Sequence, residues 1–243
     1  MEVGIKCFVL LVIVVATTSC TESPEKCCVE PTHEVFMGGT IAQVINGSGV
    51  GILMNTQTAA DHDQHMYGSE AGYYVIGGHY VEIKTIQDWN AMKSYSIMNG
   101  VCTVAPLVGS EPSNCIADDA KFSEYTNIGD NEIVTQNWEI NPKEVGLSYG
   151  NAYLSISNKK CIPTGLTFAG LSDTTGAEVP IVYSAGYFNY TSGVSDPKRW
   201  FGVPSSCNTE VTSTNNKLFN MLGLNESVHT MSKLFQNLVF RRF

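Results

Sequence analysis

β-Branched and aromatic residues recur in short runs along most of the chain, and Gly, Asn, Asp or Pro bounds each run. Clear examples, starting at residues 33, 73, 132, 145 and 179, are HEVFMGGTIAQVI, YYVIGGHYVEIKTI, EIVTQNWEI, VGLSYGNAYLSIS and VPIVYSAGYFNYT. This composition with turn residues at the boundaries is typical of β-strands. No comparable helical period occurs before residue 210, so the pattern predicts a mostly β domain.

Apolar positions alternate within several of these runs, which gives each predicted strand one apolar face. The alternating positions are Tyr73, Val75, Val81 and Ile83 in one segment, and Val134, Trp138 and Ile140 in another. Sheets with a single buried face pack against each other. We therefore expect an antiparallel sandwich or a half-barrel.

One hairpin can be placed from the sequence. Asn141-Pro142-Lys143 separates residues 131–140 from residues 144–157, and a short polar connection with proline suits a β-hairpin. The apolar positions of the second strand change parity at Gly150-Asn151. This change predicts a bulge or a tight turn there.

The two ends of the chain differ from this pattern. Residues 1–19 contain one lysine, an apolar run and then small residues, which predicts a signal peptide cleaved near Ala16 to Ser19. Residues 208–243 read as a polar linker followed by an amphipathic helix behind Asn225-Glu226-Ser227. We expect a single β domain at residues 20–207, a secreted protein and no transmembrane segment.

Net charge and composition restrict the classes of binding partner. The formal net charge is -9, and charged residues make up only 15% of the chain. This charge argues against nucleic acid and against anionic membrane surfaces, but it permits cation binding. Exposed carboxylates at Asp118, Asp119, Asp130 and Glu132 are candidate calcium ligands, although their spacing matches no EF-hand loop.

Cysteines and sequons fit an exported protein. Six cysteines can form three disulfides in an oxidising compartment, and Cys20 is left over. The six are Cys27, Cys28, Cys102, Cys115, Cys161 and Cys207. Sequons for N-glycosylation begin at Asn46, Asn189 and Asn225.

Two motifs resemble a serine hydrolase site and a metal site, but neither lies in the structural context that such a site needs. Ser148 lies in a Gly-x-Ser-x-Gly sequence, with Asp173 or Asp196 and then His229 in hydrolase order, but a strand follows it instead of a helix. Asp61, His62, Asp63 and His65 have ligand-type side chains, but a solvated loop explains them better than a metal site. We therefore predict a non-enzymatic protein.

Short motifs in a fixed order resemble the ependymin-related secreted glycoproteins. They are Cys27-Cys28-Val29-Glu30-Pro31, Trp138 before a hairpin, Cys161-Ile162-Pro163, and Ser195-Asp196-Pro197 followed by Val203-Pro204-Ser205-Ser206-Cys207. The resemblance spans residues 27 to 207. It implies two stacked sheets like those of bacterial lipoprotein carriers, an apolar pocket, calcium affinity, dimerisation and no catalysis.

The resemblance also implies a disulfide between Cys28 and Cys161. Cys102 with Cys115 is a plausible second pair because a Gly/Pro/Ser-rich loop separates them, and Cys27 with Cys207 would complete the set. Pro197 and Pro204 predict an extended exit from the last strand, with Trp200 and Phe201 covering the apolar edge of the sheet. Cys207 would then close the domain.

These observations predict a secreted, glycosylated protein that holds a hydrophobic, lipid-like ligand between its sheets, with calcium as the candidate cofactor. The predicted pocket residues are Trp138, Tyr149, Tyr183 and Tyr187, although the same side chains could fill a dry core. The alternatives are a matrix or adhesion protein without a lipid ligand, and a serine esterase using Ser148.

Overall fold

Antiparallel strands dominate the computed structural model, which describes residues 23–45, 47–75, 79–172 and 178–208. The strands are β1 (Thr32–Ile45), β2 (Ser48–Asp61), β3 (Met66–Val75), β4 (His79–Asp88), β5 (Lys93–Met98), β6 (Val101–Pro106), β7 (Lys121–Ile128), β8 (Ile133–Ile140), β9 (Leu147–Ser157), β10 (Pro163–Ser172) and β11 (Val179–Ser192). The helix described is α1 (Pro197–Phe201). The predicted mostly β, antiparallel class is confirmed.

All eleven described strands belong to one sheet, in the order β6-β5-β4-β3-β2-β1-β11-β10-β9-β8-β7. The two stacked sheets that the family resemblance implied are thus joined into one continuous sheet. The reason is the pairing of β1 with β11, two fourteen-residue strands that join the β2–β6 wing to the β7–β10 wing. Buried side chains from both wings form one core cluster, as in a half-barrel that curves around its apolar face.

The core lies on one face of this sheet, which we call the inner face. Ile140, Ala152, Phe168, Tyr183 and Ile41 are successive cross-strand partners on β8, β9, β10, β11 and β1, and all five are buried. Full burial of one large apolar side chain contributes about 1.5–3 kcal/mol to folding. Rows of this kind hold the two wings together.

The hairpin predicted at Asn141-Pro142-Lys143 is present, with a 3-10 turn at Pro142–Val145 between β8 and β9. The apolar parity of β9 changes as expected. Leu147 is buried in one phase and Ala152 in the other, and the register of β9 against β10 shifts at Ser148. The bulge thus lies two residues before the predicted position.

Residues Pro197–Phe201 form a helix, although the sequence pattern predicts an extended segment. Asp196 caps the helix through a 3.0 Å hydrogen bond from the Arg199 backbone N–H, and Pro197 starts it, where no backbone donor is needed. Helix α1 packs on the opposite face of the sheet, which we call the outer face. Trp200 is 2% exposed there, above Gly68.

Six cysteines form three disulfides: Cys27–Cys161, Cys28–Cys115 and Cys102–Cys207. All three predicted pairings are wrong. The segment around Cys27 runs alongside the loop at Cys115, with hydrogen bonds from Val29 N–H to Asn114 O and from Ile116 N–H to Cys27 O. Adjacent residues of an extended chain point in opposite directions, so Cys27 and Cys28 reach different partners.

The predicted signal peptide, Cys20 and the C-terminal helix lie outside the described residues. Within the part of the chain that is described, no helix has the length and apolar character needed to cross a membrane.

Candidate ligand-binding site

The four aromatic residues predicted to line a pocket do not lie together. Tyr183 and Trp138 are fully buried and Tyr187 is 9% exposed, whereas Tyr149 is 75% exposed on the outer face. Tyr183 stacks on Phe168 at 4.7 Å between ring centroids. Three of the four side chains therefore fill the core.

Hydrogen bonds hold these core aromatics in place. The Tyr183 hydroxyl donates to the Met37 sulfur at 3.2 Å, and the Trp138 indole N–H donates to Gln136 Oε1 at 3.1 Å. Burial raises the pKa of Tyr183, so its hydroxyl stays protonated. Both polar groups are satisfied within the protein and need no ligand.

The candidate calcium ligands form two separate pairs. Asp118 and Asp119 precede β7, whereas Asp130 and Glu132 lie in the turn that follows it. The eight residues of β7 span about 26 Å at a rise of about 3.3 Å per residue, so the pairs cannot share one ion. Among the described residues, no group of three or more His, Cys, Asp or Glu side chains could hold a metal.

The histidine-rich turn between β2 and β3 has a structural role. His65 Nδ1 lies 2.6 Å from Glu111 Oε2, and the Tyr67 hydroxyl donates to Glu111 Oε1 at 2.8 Å. Burial and the contact with Glu111 raise the pKa of Tyr67. These contacts tie the loop that carries Glu111 to the sheet.

Ser148 lies on β9 without the surroundings of a nucleophile. Its hydroxyl can donate its one hydrogen to either of two acceptors, Leu171 O at 3.2 Å or Glu178 Oε1 at 3.1 Å. The other candidate triad members lie apart from it or outside the description: Asp196 caps α1, and Asp173 and His229 are not among the described residues. A serine nucleophile needs a neighbouring base, and no described imidazole contacts this hydroxyl.

Of the three sequons, the one at Asn189 can be located. Asn189 is exposed on β11, with a φ of 50° at a bulge opposite β1. An exposed bulge leaves the side-chain amide accessible to a glycosyltransferase. Asn46 and Asn225 lie outside the described residues.

An apolar groove lies on the outer face, at the ends of β1, β2, β10 and β11. Its volume is about 450 Å³, within the range typical of small-molecule sites. Small residues of the outer face form the bottom of the groove, and larger apolar side chains form its sides. The small residues are Ala42, Gly49, Gly51 and Ala169, and the larger ones are Val44, Pro180 and Val182.

This groove follows from the register of the sheet. Gly51, Ala42, Val182 and Ala169 are successive cross-strand partners on the outer face. The next row contains Val44 and Pro180 and continues through Leu171 to Tyr149. Tyr149 is thus the one predicted pocket residue on this face.

Sequence reasoning missed this groove. The Gly-x-Gly pattern at Gly49 and Gly51 looks like part of a turn, and the groove residues Val182 and Ala169, which share a row with Gly51, are far away in the sequence. A usable signal was the apolar character of Val44 and Val182, which have the parity opposite to the core positions of their strands. Val44 is 42% exposed and Val182 is 52% exposed.

A sequence profile of the ependymin family matches residues 79–207, which is more than half of the chain. The chain belongs to the ependymin family. The matched region begins at β4 and ends at Cys207, and the resemblance inferred from the short motifs is thereby confirmed. Membership of the ependymin family fits a secreted, non-enzymatic, ligand-binding protein.

One curated relative and two solved structures are similar to this chain at low sequence identity. The development-specific protein LVN1.2 of Lytechinus variegatus is 27% identical over 139 residues, which cover 53% of this chain and 72% of that protein. A LolA superfamily protein from Nitrosomonas europaea aligns with a TM-score of 0.29 and 9% identity, over 70% of this chain and 90% of that chain. A DUF1329 family protein from Desulfovibrio piger aligns with a TM-score of 0.31 and 11% identity, over 68% and 88%.

Proposed function

We propose that this ependymin family member is a secreted, glycosylated, non-enzymatic protein that binds a lipid-like ligand in the apolar groove of its outer face. The observation that carries the proposal is the groove itself. Its walls contain no charged side chain, and its volume is about 450 Å³. The sequence suggested a pocket between two sheets, whereas the site proposed here lies on the outer face of the strands.

The chemistry of the groove suits an acyl chain. Val44 and Val182 remain 42% and 52% exposed, and a ligand that covered them would remove apolar surface from water. Burial of apolar surface contributes about 25 cal/mol per Å². Directional hydrogen bonds are not required for a ligand of this kind, which agrees with an almost entirely apolar lining.

An extracellular location is supported by the covalent chemistry of the chain. Three disulfides among the described residues are typical of an oxidising compartment. The exposed Asn189 offers an accessible glycosylation site. Calcium binding and homodimerisation remain predictions that no contact among the described residues supports.

A matrix or adhesion role is the second candidate, and exposed aromatic side chains favour it. Phe188, Tyr74 and Tyr80 on the outer face are each more than half exposed. Such side chains are common in protein interfaces, where they supply large contact areas. In this role the outer face would contact another macromolecule and hold no lipid.

Native mass spectrometry of the secreted protein tests the lipid proposal, with organic extraction of co-purified lipid and reloading with oleate. Val182→Asp places a charge in the groove and should abolish oleate binding. Ile133→Asp is the matched control, because Ile133 is 46% exposed at the start of β8, outside the groove. A lipid-free protein that takes up no oleate would contradict the proposal and favour the adhesion role. Equal binding by both variants would also contradict it.

A further inference from the structure

A second cleft lies on the outer face and shares no lining residue with the apolar groove. It has a volume of about 570 Å³ and extends across β2, β3 and β4. Arg199 of α1 borders it on one side, and the turn at Asn99-Gly100 between β5 and β6 borders it on another. Its lining is polar and aromatic.

Tyr80 forms a fixed aromatic platform in this cleft. Its ring lies over Gly72, because a Cβ atom added at Gly72 would stand 2.7 Å from the Tyr80 hydroxyl oxygen. The hydroxyl donates to Glu82 Oε1 at 2.9 Å, and the Tyr74 ring supports the Tyr80 ring at 6.3 Å between centroids. The side chain nevertheless remains 54% exposed, so one part of the ring is available to a ligand.

Two carboxamides beside this platform have no partner within the described protein. Asn55 is the cross-strand neighbour of Gly72, directly beside the position that Tyr80 covers. Asn99 lies exposed in the turn at the cleft border. Each carboxamide offers one acceptor and two donor hydrogens.

The charged groups of the cleft neutralise one another. Glu70 Oε2 accepts a hydrogen bond from Arg199 Nη2 at 2.6 Å, and Glu70 Oε1 lies 3.3 Å from Lys84 Nζ. Burial raises the pKa of Glu70, but the hydrogen bonds from Arg199 and Lys84 outweigh this effect and lower the pKa below its ordinary value. With Glu82 included, two carboxylates face two cations, and the formal charge of the lining is zero.

We propose that this cleft binds an uncharged saccharide, with one sugar ring stacked on Tyr80 and its hydroxyl groups hydrogen-bonded to Asn55, Asn99 and Glu82. The C–H face of a pyranose is apolar and packs on an aromatic ring, whereas its hydroxyl groups need both donors and acceptors. Carboxamides and carboxylates supply these at the rim of the platform. A neutral lining offers no net attraction to sulfated or sialylated glycans.

Calorimetric titration of the enzymatically deglycosylated protein tests this assignment, because removing its own glycans removes self-competition. The probes are the neutral sugars N,N′-diacetylchitobiose, cellotriose, maltotriose and lactose, with sialyllactose and a heparin disaccharide as charged counterparts. At least one neutral probe should bind. Tyr80→Ala should weaken that binding about tenfold, since it removes an aromatic stacking contact.

Variants separate the site from general damage to the sheet. Tyr80→Phe keeps the ring and should retain most of the affinity, and Asn55→Ala should weaken it. Tyr153→Ala is the matched control, because Tyr153 is 41% exposed on the outer face of the other wing and should leave the titration unchanged. Binding of no neutral probe, preference for the charged probes, or equal losses in Tyr80→Ala and Tyr153→Ala would each overturn the assignment.

Discussion

Cys102 in edge strand β6 is disulfide-bonded to Cys207, 105 residues further along the chain. The bond fastens the end of the ependymin domain to the outermost strand of one wing. Strand β6 pairs with β5 alone, so few backbone hydrogen bonds hold it. The disulfide compensates for this weak attachment.

Removal of this bond should therefore be costly. We expect the double variant Cys102→Ala/Cys207→Ala to lose about 2–5 kcal/mol of unfolding free energy, the range typical for native disulfides. Urea denaturation measures the loss. Non-reducing peptide mapping of the wild-type protein gives an independent check, and a Cys102–Cys115 peptide would contradict the pairing.

The contact between α1 and Gly68 of β3 leads to a second prediction. A Cβ atom added at Gly68 would lie 2.6 Å from the Trp200 backbone oxygen, so Gly68→Ala must displace the helix. We expect a loss of about 1–3 kcal/mol, as for other overpacked sites. Gly49→Ala is the control, because no atom lies within 4 Å of its added Cβ. Similar urea midpoints for the two variants would show that α1 does not depend on this contact.

His33 makes folding stability depend on pH. Burial lowers its pKa from the ordinary value of 6.5, while its Nδ1 lies 2.8 Å from Glu30 O and its ring faces those of His62 and Tyr190. The unfolded chain thus binds a proton at a higher pH than the folded protein. The stabilising effect of neutral His33 is complete above pH 6.5 and is lost as the pH falls towards the folded pKa.

Unfolding free energies measured by urea denaturation between pH 7.5 and 5 check this dependence. The wild-type protein should lose stability on acidification, and His33→Gln should lose less over the same interval. Parallel pH profiles would rule out His33 as the titrating group.

Local pattern was enough to predict part of the fold. Alternation at Tyr73, Val81 and Ile83 identified a buried face, because the period of a strand is visible in its own sequence. The family followed from short cysteine and proline motifs in order. Disulfide partners could not be obtained in the same way, since the direction in which Cys27 and Cys28 point depends on the path of the segment between two distant loops.

The candidate site was harder to predict for the same reason. Val182 and Ala42 face each other across β11 and β1, although 140 positions separate them in the sequence. Trp138 and Tyr183 looked like pocket residues because apolar residues of a core and of a binding site have the same composition. The parity of Val44 and Val182 indicates their face of the sheet, but only the three-dimensional register shows which residues of distant strands share one groove.

Photo-crosslinking with a diazirine-bearing fatty acid, followed by peptide mapping, tests the central claim most directly. The ependymin domain should be labelled within residues 42–44, 49–51, 169–170 and 180–182, which line the apolar groove. Excess oleate should suppress this labelling, and Ala169→Trp, which fills the groove, should abolish it in a protein that still unfolds cooperatively. Absence of specific labelling, or labelling on peptides around Trp138 alone, would contradict the account.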